Sequence, residues 1–290
     1  MKNLYIEITD ACNLRCSFCP SKARRDFMST SLFEKCVAGA TEIGAENVYF
    51  HVLGEPTLHP GFSLFVKHLE STPLKLTLVT NGTTIARTGR AILESPAVRQ
   101  VNFSTHAFAE LPPDDARGHL QDVFDFCKMA LAMRPDLYIN LRLWNIGDSG
   151  SGSWNSYMLA RIRETFGVEV NPGNFCSRHK SFPIEGRLYL HEDSRFEWPG
   201  AGTASSASNT QQILHGTCHA LETHAAILHD GRVVACCLDH SGQITLGNIN
   251  EQGLGEILGS PTARNIREGF EKHELRHPFC QGCGYCRRFK

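Results

Sequence analysis

The sequence predicts an α/β fold built on parallel strands, and three observations carry that reading. From residue 3 to about 143, short β-rich runs alternate with amphipathic stretches long enough for helices. Helix-start signals fall between the runs, with Ser29-Thr30-Ser31 preceding one apolar-periodic segment and Glu34 three residues past Ser31, as in a capping box. The rhythm then decays after residue 171, where Pro, Gly and small residues multiply. Strands joined by helix-length connections close into a barrel or lie in an open sheet.

Taken in order, LYIEIT is followed by a helix over 30–44, NVYFHVL by one over 60–70, LKLTLVT by one over 84–94, VRQVNFS by one over 119–133, and LYINLRLW closes the series. NIGDSGSGSWN (145–155) reads as a Gly/Ser loop, and the run near 168–170 is expected to add one more strand. GAGTASSASNTQQ (200–212) is too polar and flexible to pack as a core element and reads as a linker or surface loop. In HAAILHDGRVVACC two alternating runs flank Asp230-Gly231, a strong hairpin signal, and a helix is expected near 251–271. No repeat recurs at periods of 20 to 50 residues. The expected organisation is residues 1–199 as the main unit, 200–212 as linker and 213–290 as a small C-terminal unit.

Composition narrows the function classes. The 290 residues are 41% hydrophobic, enough for a normal core, and 29 Lys plus Arg stand against 30 acidic residues. No global basic field points to nucleic acid or a membrane surface. MKNLYIEITD has charges where a secretory signal is apolar, and no stretch approaches the roughly 20 apolar residues a bilayer requires, so the cytoplasm is the expected location. Reducing conditions make a disulfide framework the wrong account of twelve cysteines. Nine fall in three groups, Cys12/Cys16/Cys19, Cys218/Cys236/Cys237 and Cys280/Cys283/Cys286, which point to metal or catalysis; Cys36, Cys127 and Cys176 read as ordinary buried thiols.

Cys12-Asn-Leu-Arg-Cys16-Ser-Phe-Cys19 comes directly after the first strand, on the rim where α/β folds place their active sites. Three thiolates are too few for a closed tetrahedral site. They suit a [4Fe–4S] cube with one iron left open to an exogenous ligand, or a structural zinc site completed by a nearby His or a remote Cys.

This Cys-x3-Cys-x2-Cys pattern, with Phe18 before the third cysteine, resembles the signature of the radical S-adenosylmethionine (SAM) superfamily. Gly54-Glu55-Pro56 after the second strand is similar to the family's GEP motif, and Asn81-Gly82 ends the third strand as the family often has it. Each is an ordinary turn when taken alone; their placement at three successive strand ends supports the resemblance, which covers about residues 3–170. It implies a partial (β/α)6 TIM-like barrel, a site-differentiated [4Fe–4S] cluster on Cys12, Cys16 and Cys19, and SAM held by Gly54, Glu55, Pro56 and Asn81. Ser104 and Arg142 stand where the family often contacts ribose and carboxylate. The implied chemistry is reductive cleavage of SAM to a 5′-deoxyadenosyl radical that abstracts a substrate hydrogen, with flavodoxin or ferredoxin as reducing partner.

Twelve residues separate Cys218 from Gly231, and four more lead to Cys236, which resembles the signature of SPASM and twitch extensions. With Cys280 and Cys283 this implies four ligands for one auxiliary [4Fe–4S] cluster, the full seven-cysteine SPASM pattern being absent; Cys286 adjoins the set as a further candidate ligand. A zinc ribbon uses the same C-x2-C spacing. Cys237, next to a ligand, is a candidate hydrogen-atom donor or a small packing residue, and Asp239 a candidate proton acceptor. His51, His59, His106 and His240 lie near these motifs, with satisfied structural roles expected. The sequence thus supports modification of a ribosomally made peptide, although a barrel beginning at residue 3 leaves no room for an N-terminal leader-recognition domain. The alternatives are dehydrogenation or rearrangement of a small molecule such as an aminocyclitol, and a non-catalytic iron–sulfur or zinc binding protein.

Overall fold

The computed structural model describes residues 1–20, 26–148, 150–170, 180–195, 198–199 and 214–288. Strands β1 (Asn3–Ile6), β2 (Asn47–Phe50), β3 (Lys75–Thr80), β4 (Val98–Phe103) and β5 (Tyr138–Leu143) pair in parallel in chain order. Helices α1 (Thr30–Glu42), α2 (Phe62–Leu69), α3 (Ile85–Glu94) and α4 (Pro113–Met133) cross between them, and α5 (Gly152–Phe166) follows β5. β6 (Ser181–Glu185) and β7 (Leu188–Glu192) form a hairpin, and β7 lies parallel to β5 as the sixth barrel strand. The architecture is the expected partial (β/α)6 barrel.

Two local expectations are corrected. No strand forms at 168–170, because α5 ends on Gly167 in a left-handed conformation and the next strand of the series is Leu188–Glu192. The helix expected near 251–271 is two helices, α6 (Leu254–Leu258) and α7 (Pro261–Glu271), since Pro261 has no amide to continue the first and Ser260 caps the second by accepting from Ala263 N at 3.3 Å. The cap of α1 is Ser29 rather than Ser31, its hydroxyl accepting from Leu32 N at 3.2 Å. The linker expected at 200–212, and Cys176, lie outside the described residues. Cys36 and Cys127 are buried as expected.

Strands β1, β2 and β5 alternate strictly, and this explains what the barrel encloses. On β1, β2 and β5 every second residue (Leu4, Ile6, Val48, Phe50, Ile139, Leu141, Leu143) is buried toward the helices. There Phe33 of α1 stacks on Phe65 of α2 at 4.0 Å and meets Phe50 edge-on at 5.7 Å, burial that contributes about 1.5–3 kcal/mol per ring. The intervening residues, among them Tyr5, Tyr49, Asn140 and Arg142, face inward. The lumen is therefore a polar and aromatic space, suited to a ligand.

After the barrel the chain returns to its beginning. β8 (His224–Ile227) pairs in parallel with β1 on the side away from β2, and β9 (Arg232–Val234) and β10 (Thr245–Asn248) continue the sheet antiparallel. Asp230-Gly231 makes the expected hairpin turn, and α8 (Pro278–Gln281) carries Cys280, with Cys283 and Cys286 directly after it. The ten strands form one sheet in the order β10-β9-β8-β1-β2-β3-β4-β5-β7-β6.

Candidate active site and auxiliary cluster site

The loop after β1 places Cys12, Cys16 and Cys19 around a cavity of about 480 Å3 whose walls include Gly54, Glu55, Asn81 and Ser104. The GEP turn is clamped to this loop. Glu55 N donates to Ala11 O at 2.7 Å, one residue before Cys12. Gly54 has φ of +73°, and a Cβ there would fall 2.2 Å from Thr9 O; only glycine permits the approach. Glu55 is buried, and its carboxylate accepts from Thr57 N, the Thr57 and Thr80 hydroxyls, and Asn81 N. The acid thus ties the ends of β2 and β3 together, and burial, opposed by these hydrogen bonds, raises its pKa. The Asn81 side chain donates to Asn13 Oδ1 at 3.0 Å and reaches Cys12 Sγ at 3.8 Å, while Leu14 N points to the same sulfur at 3.4 Å.

Long-range contacts that sequence reasoning missed hold the other side of the loop. Glu110 accepts from Ser17 N at 2.6 Å and from its hydroxyl at 2.8 Å, and Arg195 lies 4.5 Å over the Phe18 ring while pairing with Glu110 and Asp148. No local pattern marks a partner 93 residues away. Burial pushes the Cys16 thiol up to about 12 and raises Cys12 as well, so thiolates here need a cationic centre to hold their charge.

A second cavity, of about 610 Å3, gathers the remaining cysteines: Cys218, Cys236, Cys237, Cys280, Cys283 and Cys286 all line it. Chain segments separated by more than forty residues are brought together by β8, β9 and α8. Burial raises Cys236 well above its usual value and Cys280 to about 12. Cys286 donates its S–H to Cys283 O at 2.9 Å. Cys237 contacts the Tyr5 hydroxyl, and Tyr5 stacks on Tyr49 at 4.6 Å. The two cavities share His51 and Val79 as a wall. Among the described residues no three cysteine sulfurs lie within 4.8 Å of one another, whereas thiolates on one tetrahedral zinc sit about 3.8 Å apart. Three thiols converging on the first cavity and six on the second are donor sets of the kind that iron–sulfur clusters take.

Two sequence-level assignments find different surroundings. Arg142 lines the second cavity and not the first, so it does not join Ser104. Asp239 is fully buried, and its oxygens accept from Gln243 N at 2.7 Å and Ile244 N at 2.6 Å; it braces a turn and reaches neither cavity. His59 accepts from Gly61 N at Nδ1 and bonds Met28 O through Nε2, a satisfied structural role. His106 contacts Arg142 O at 3.2 Å and His240 packs on Trp198.

A partial barrel with three cysteines on the loop after β1 and a glycine-clamped turn after β2 defines a class, the enzymes that use an iron–sulfur cluster and SAM. Comparison with known proteins agrees: residues 6–142 match the model of the radical SAM superfamily, and residues 218–286 that of the SPASM iron–sulfur cluster-binding domain. The chain belongs to the radical SAM superfamily and carries a C-terminal SPASM domain. The first match implies a [4Fe–4S] cluster and SAM, and the second implies auxiliary iron–sulfur binding in the C-terminal part. A tungsten-containing aldehyde ferredoxin oxidoreductase cofactor-modifying protein of Pyrococcus furiosus is 39% identical over 87 residues, 29% of this chain, and the match spans only 24% of that protein's length. Among solved structures, anSMEcpe with bound AdoMet and Kp18Cys peptide has a TM-score of 0.60 at 15% identity, covering 99% of this chain and 90% of that one. BtrN in complex with AdoMet and 2-DOIA has a TM-score of 0.53 at 14% identity, covering 98% and 93%. Among the described residues no helix is long and apolar enough to cross a membrane.

Proposed function

We propose that this enzyme modifies a peptide substrate held in the lumen between the two cysteine-lined cavities. The observation that carries the reading is their common wall at His51 and Val79, which sets the space beside one cysteine set directly against the space beside the other. Cys12, Cys16 and Cys19 hold the SAM-binding cluster, and Cys218, Cys236, Cys280 and Cys283 hold one auxiliary [4Fe–4S] cluster, with Cys286 beside them. When bound, cluster and SAM supply a 5′-deoxyadenosyl radical after one-electron reduction.

The chain's own work is placement. The main chain of Gly54-Glu55-Pro56, fixed by the Glu55 carboxylate, together with Asn81 and Ser104, orients SAM against the first cavity's wall. Leu14 N and the Asn81 amide, directed at Cys12 Sγ, tune the cluster's charge. His51 and Val79 separate the reacting centre from the auxiliary site, and Tyr5 and Tyr49 close the lumen against water. Reduced flavodoxin or ferredoxin serves as the electron donor. The peptide held by anSMEcpe supports the peptide class; the 2-DOIA held by BtrN, a fold match over nearly its whole chain, supports the second reading, a small-molecule dehydrogenase. Cys237 lines the second cavity, which supports its thiol as the donor of a hydrogen atom to a substrate radical.

The test is anaerobic reconstitution with iron, sulfide and SAM counting. About eight irons per chain and 5′-deoxyadenosine under dithionite are expected, with cleavage abolished in the Cys12/Cys16/Cys19→Ala variant. Zinc in place of iron, or cleavage persisting in that variant, would refute the reading. Unchanged product stereochemistry and turnover in Cys237→Ala would remove the hydrogen-donor role.

A further inference from the structure

Among the described residues the second cavity offers the Arg142 guanidinium no carboxylate partner. Arg142, on β5, has its guanidinium 4.3 Å over the Trp144 ring inside this cavity. The guanidinium makes no hydrogen bond and no ion pair with any described residue, unlike the other cation there, Lys180, which bonds Asp193 at 2.7 Å. Asp193 is the only carboxylate lining this cavity among the described residues, and Lys180 and Ser194 N already occupy its oxygens. Burial lowers the pKa of Arg142 to about 10, so it stays charged at neutral pH. A charge withdrawn from water without a partner is costly, and the cost is recovered when an anion arrives.

The surroundings select the anion. Stacking on Trp144 fixes the guanidinium plane and leaves its edge as a two-pronged donor, the geometry that fits a planar carboxylate. Trp144 Nε1 donates to His191 Nδ1 at 2.8 Å. The indole can only donate, so neutral His191 carries its proton on Nε2 and offers a further donor from the same wall. One uncompensated positive charge matches a monoanion better than a phosphate dianion.

We propose that Arg142, seated on Trp144 and flanked by His191, forms a subsite that recognises a free carboxylate of the substrate, either a peptide C-terminus or an acidic side chain. This rests on the reading that substrate occupies the second cavity. It assigns the arginine to substrate and not to the carboxylate of SAM, whose candidate contacts line the other cavity.

The experiment is calorimetric titration of the reconstituted, SAM-loaded full chain with three probes: N-acetylalanine, N-acetylglutamic acid α-amide and the neutral N-acetylalaninamide. At least one acid is expected to bind at least about tenfold more tightly than the neutral amide, and the tighter acid identifies the source of the carboxylate. In Arg142→Gln this preference disappears and in Arg142→Lys it weakens, while SAM affinity and auxiliary iron content stay at wild-type values. Equal affinity for acids and amide, absence of binding included, overturns the proposal. So does a preference that survives in Arg142→Gln, a loss of SAM affinity there, or a loss of auxiliary iron, since the last two would assign the arginine to SAM or to the cluster. A preparation that prefers the acid yet fails to cleave SAM refutes the functional reading and leaves this subsite standing.

Discussion

Replacing Gly54 with alanine tests the clamp between the GEP turn and the cluster loop, and Gly167 provides the internal control. Both glycines are left-handed, with φ of +73° and +69°, so each alanine carries the same conformational cost of about 1–2 kcal/mol. At Gly167 the new methyl meets nothing within 4 Å. At Gly54 it falls 2.2 Å from Thr9 O and 3.0 Å from Ala11 O, backbone atoms that cannot rotate aside. Relief requires the turn to withdraw, which costs about 1–3 kcal/mol in overpacking and about 1 kcal/mol for the 2.7 Å bond from Glu55 N to Ala11 O. Gly54→Ala is therefore expected to cost about 3–6 kcal/mol against about 1–2 for Gly167→Ala, measured by urea unfolding of the iron-free chain followed by far-UV circular dichroism. In the reconstituted enzyme the displaced turn is expected to slow SAM cleavage by about a hundredfold, with Gly167→Ala near wild type. Equal destabilisation of the two variants, or wild-type cleavage by Gly54→Ala, would refute the clamp.

His229 bonds the buried Glu7 carboxylate through Nδ1 at 2.8 Å, and this bond raises its pKa above the usual 6.5. Its charged form is favoured in the folded chain, so the contribution is complete below the unfolded value and is lost as pH climbs through the folded one. The stability deficit of His229→Gln should be largest near pH 6 and shrink toward about pH 9 in urea midpoints; a deficit growing with pH would reverse the assignment. Asp239→Asn replaces one of two acceptor oxygens with a donor facing a backbone N–H, and is expected to cost about 1–3 kcal/mol with unchanged turnover per folded molecule; lost turnover at full stability would make it a catalytic acid. Cys283→Ser should abolish auxiliary iron, whereas Cys286→Ser, which exchanges the S–H donor to Cys283 O for an O–H donor, should retain it; iron analysis that gave the reverse order would exchange the two roles.

Local signals carried the first five strands, the crossover helices and the cysteine groups, because each rests on neighbours within a few residues. The clamp at Gly54 was legible as a motif, while its cause, the proximity of Thr9 O, required the folded loop. The sixth strand was misplaced because 168–170 and 188–192 are both short apolar runs, and only the left-handed end of α5 separates them. The break before Pro261 was written in the sequence and overlooked. Arg142 was found as a residue but assigned to the wrong cavity, since inward alternation along β5 says that it enters the lumen and not how far along the axis. Asp239 looked chemical beside paired cysteines, and only its two backbone donors reveal a brace. Glu110 and Arg195 could not have been found, their partners lying 93 and 85 residues away.

β1 receives its second hydrogen-bonded neighbour from residues 224–227, late in the chain. During synthesis the N-terminal strand, with the first cysteine loop directly behind it, must wait with one edge bare until more than two hundred further residues have left the ribosome. Iron–sulfur insertion at Cys12, Cys16 and Cys19 before that moment would meet a sheet still open along β1, and the nascent chain would be most vulnerable to aggregation in this interval. Co-expression conditions that slow translation should therefore lower the yield of intact enzyme more than destabilising changes at the far edge of the sheet, along β6.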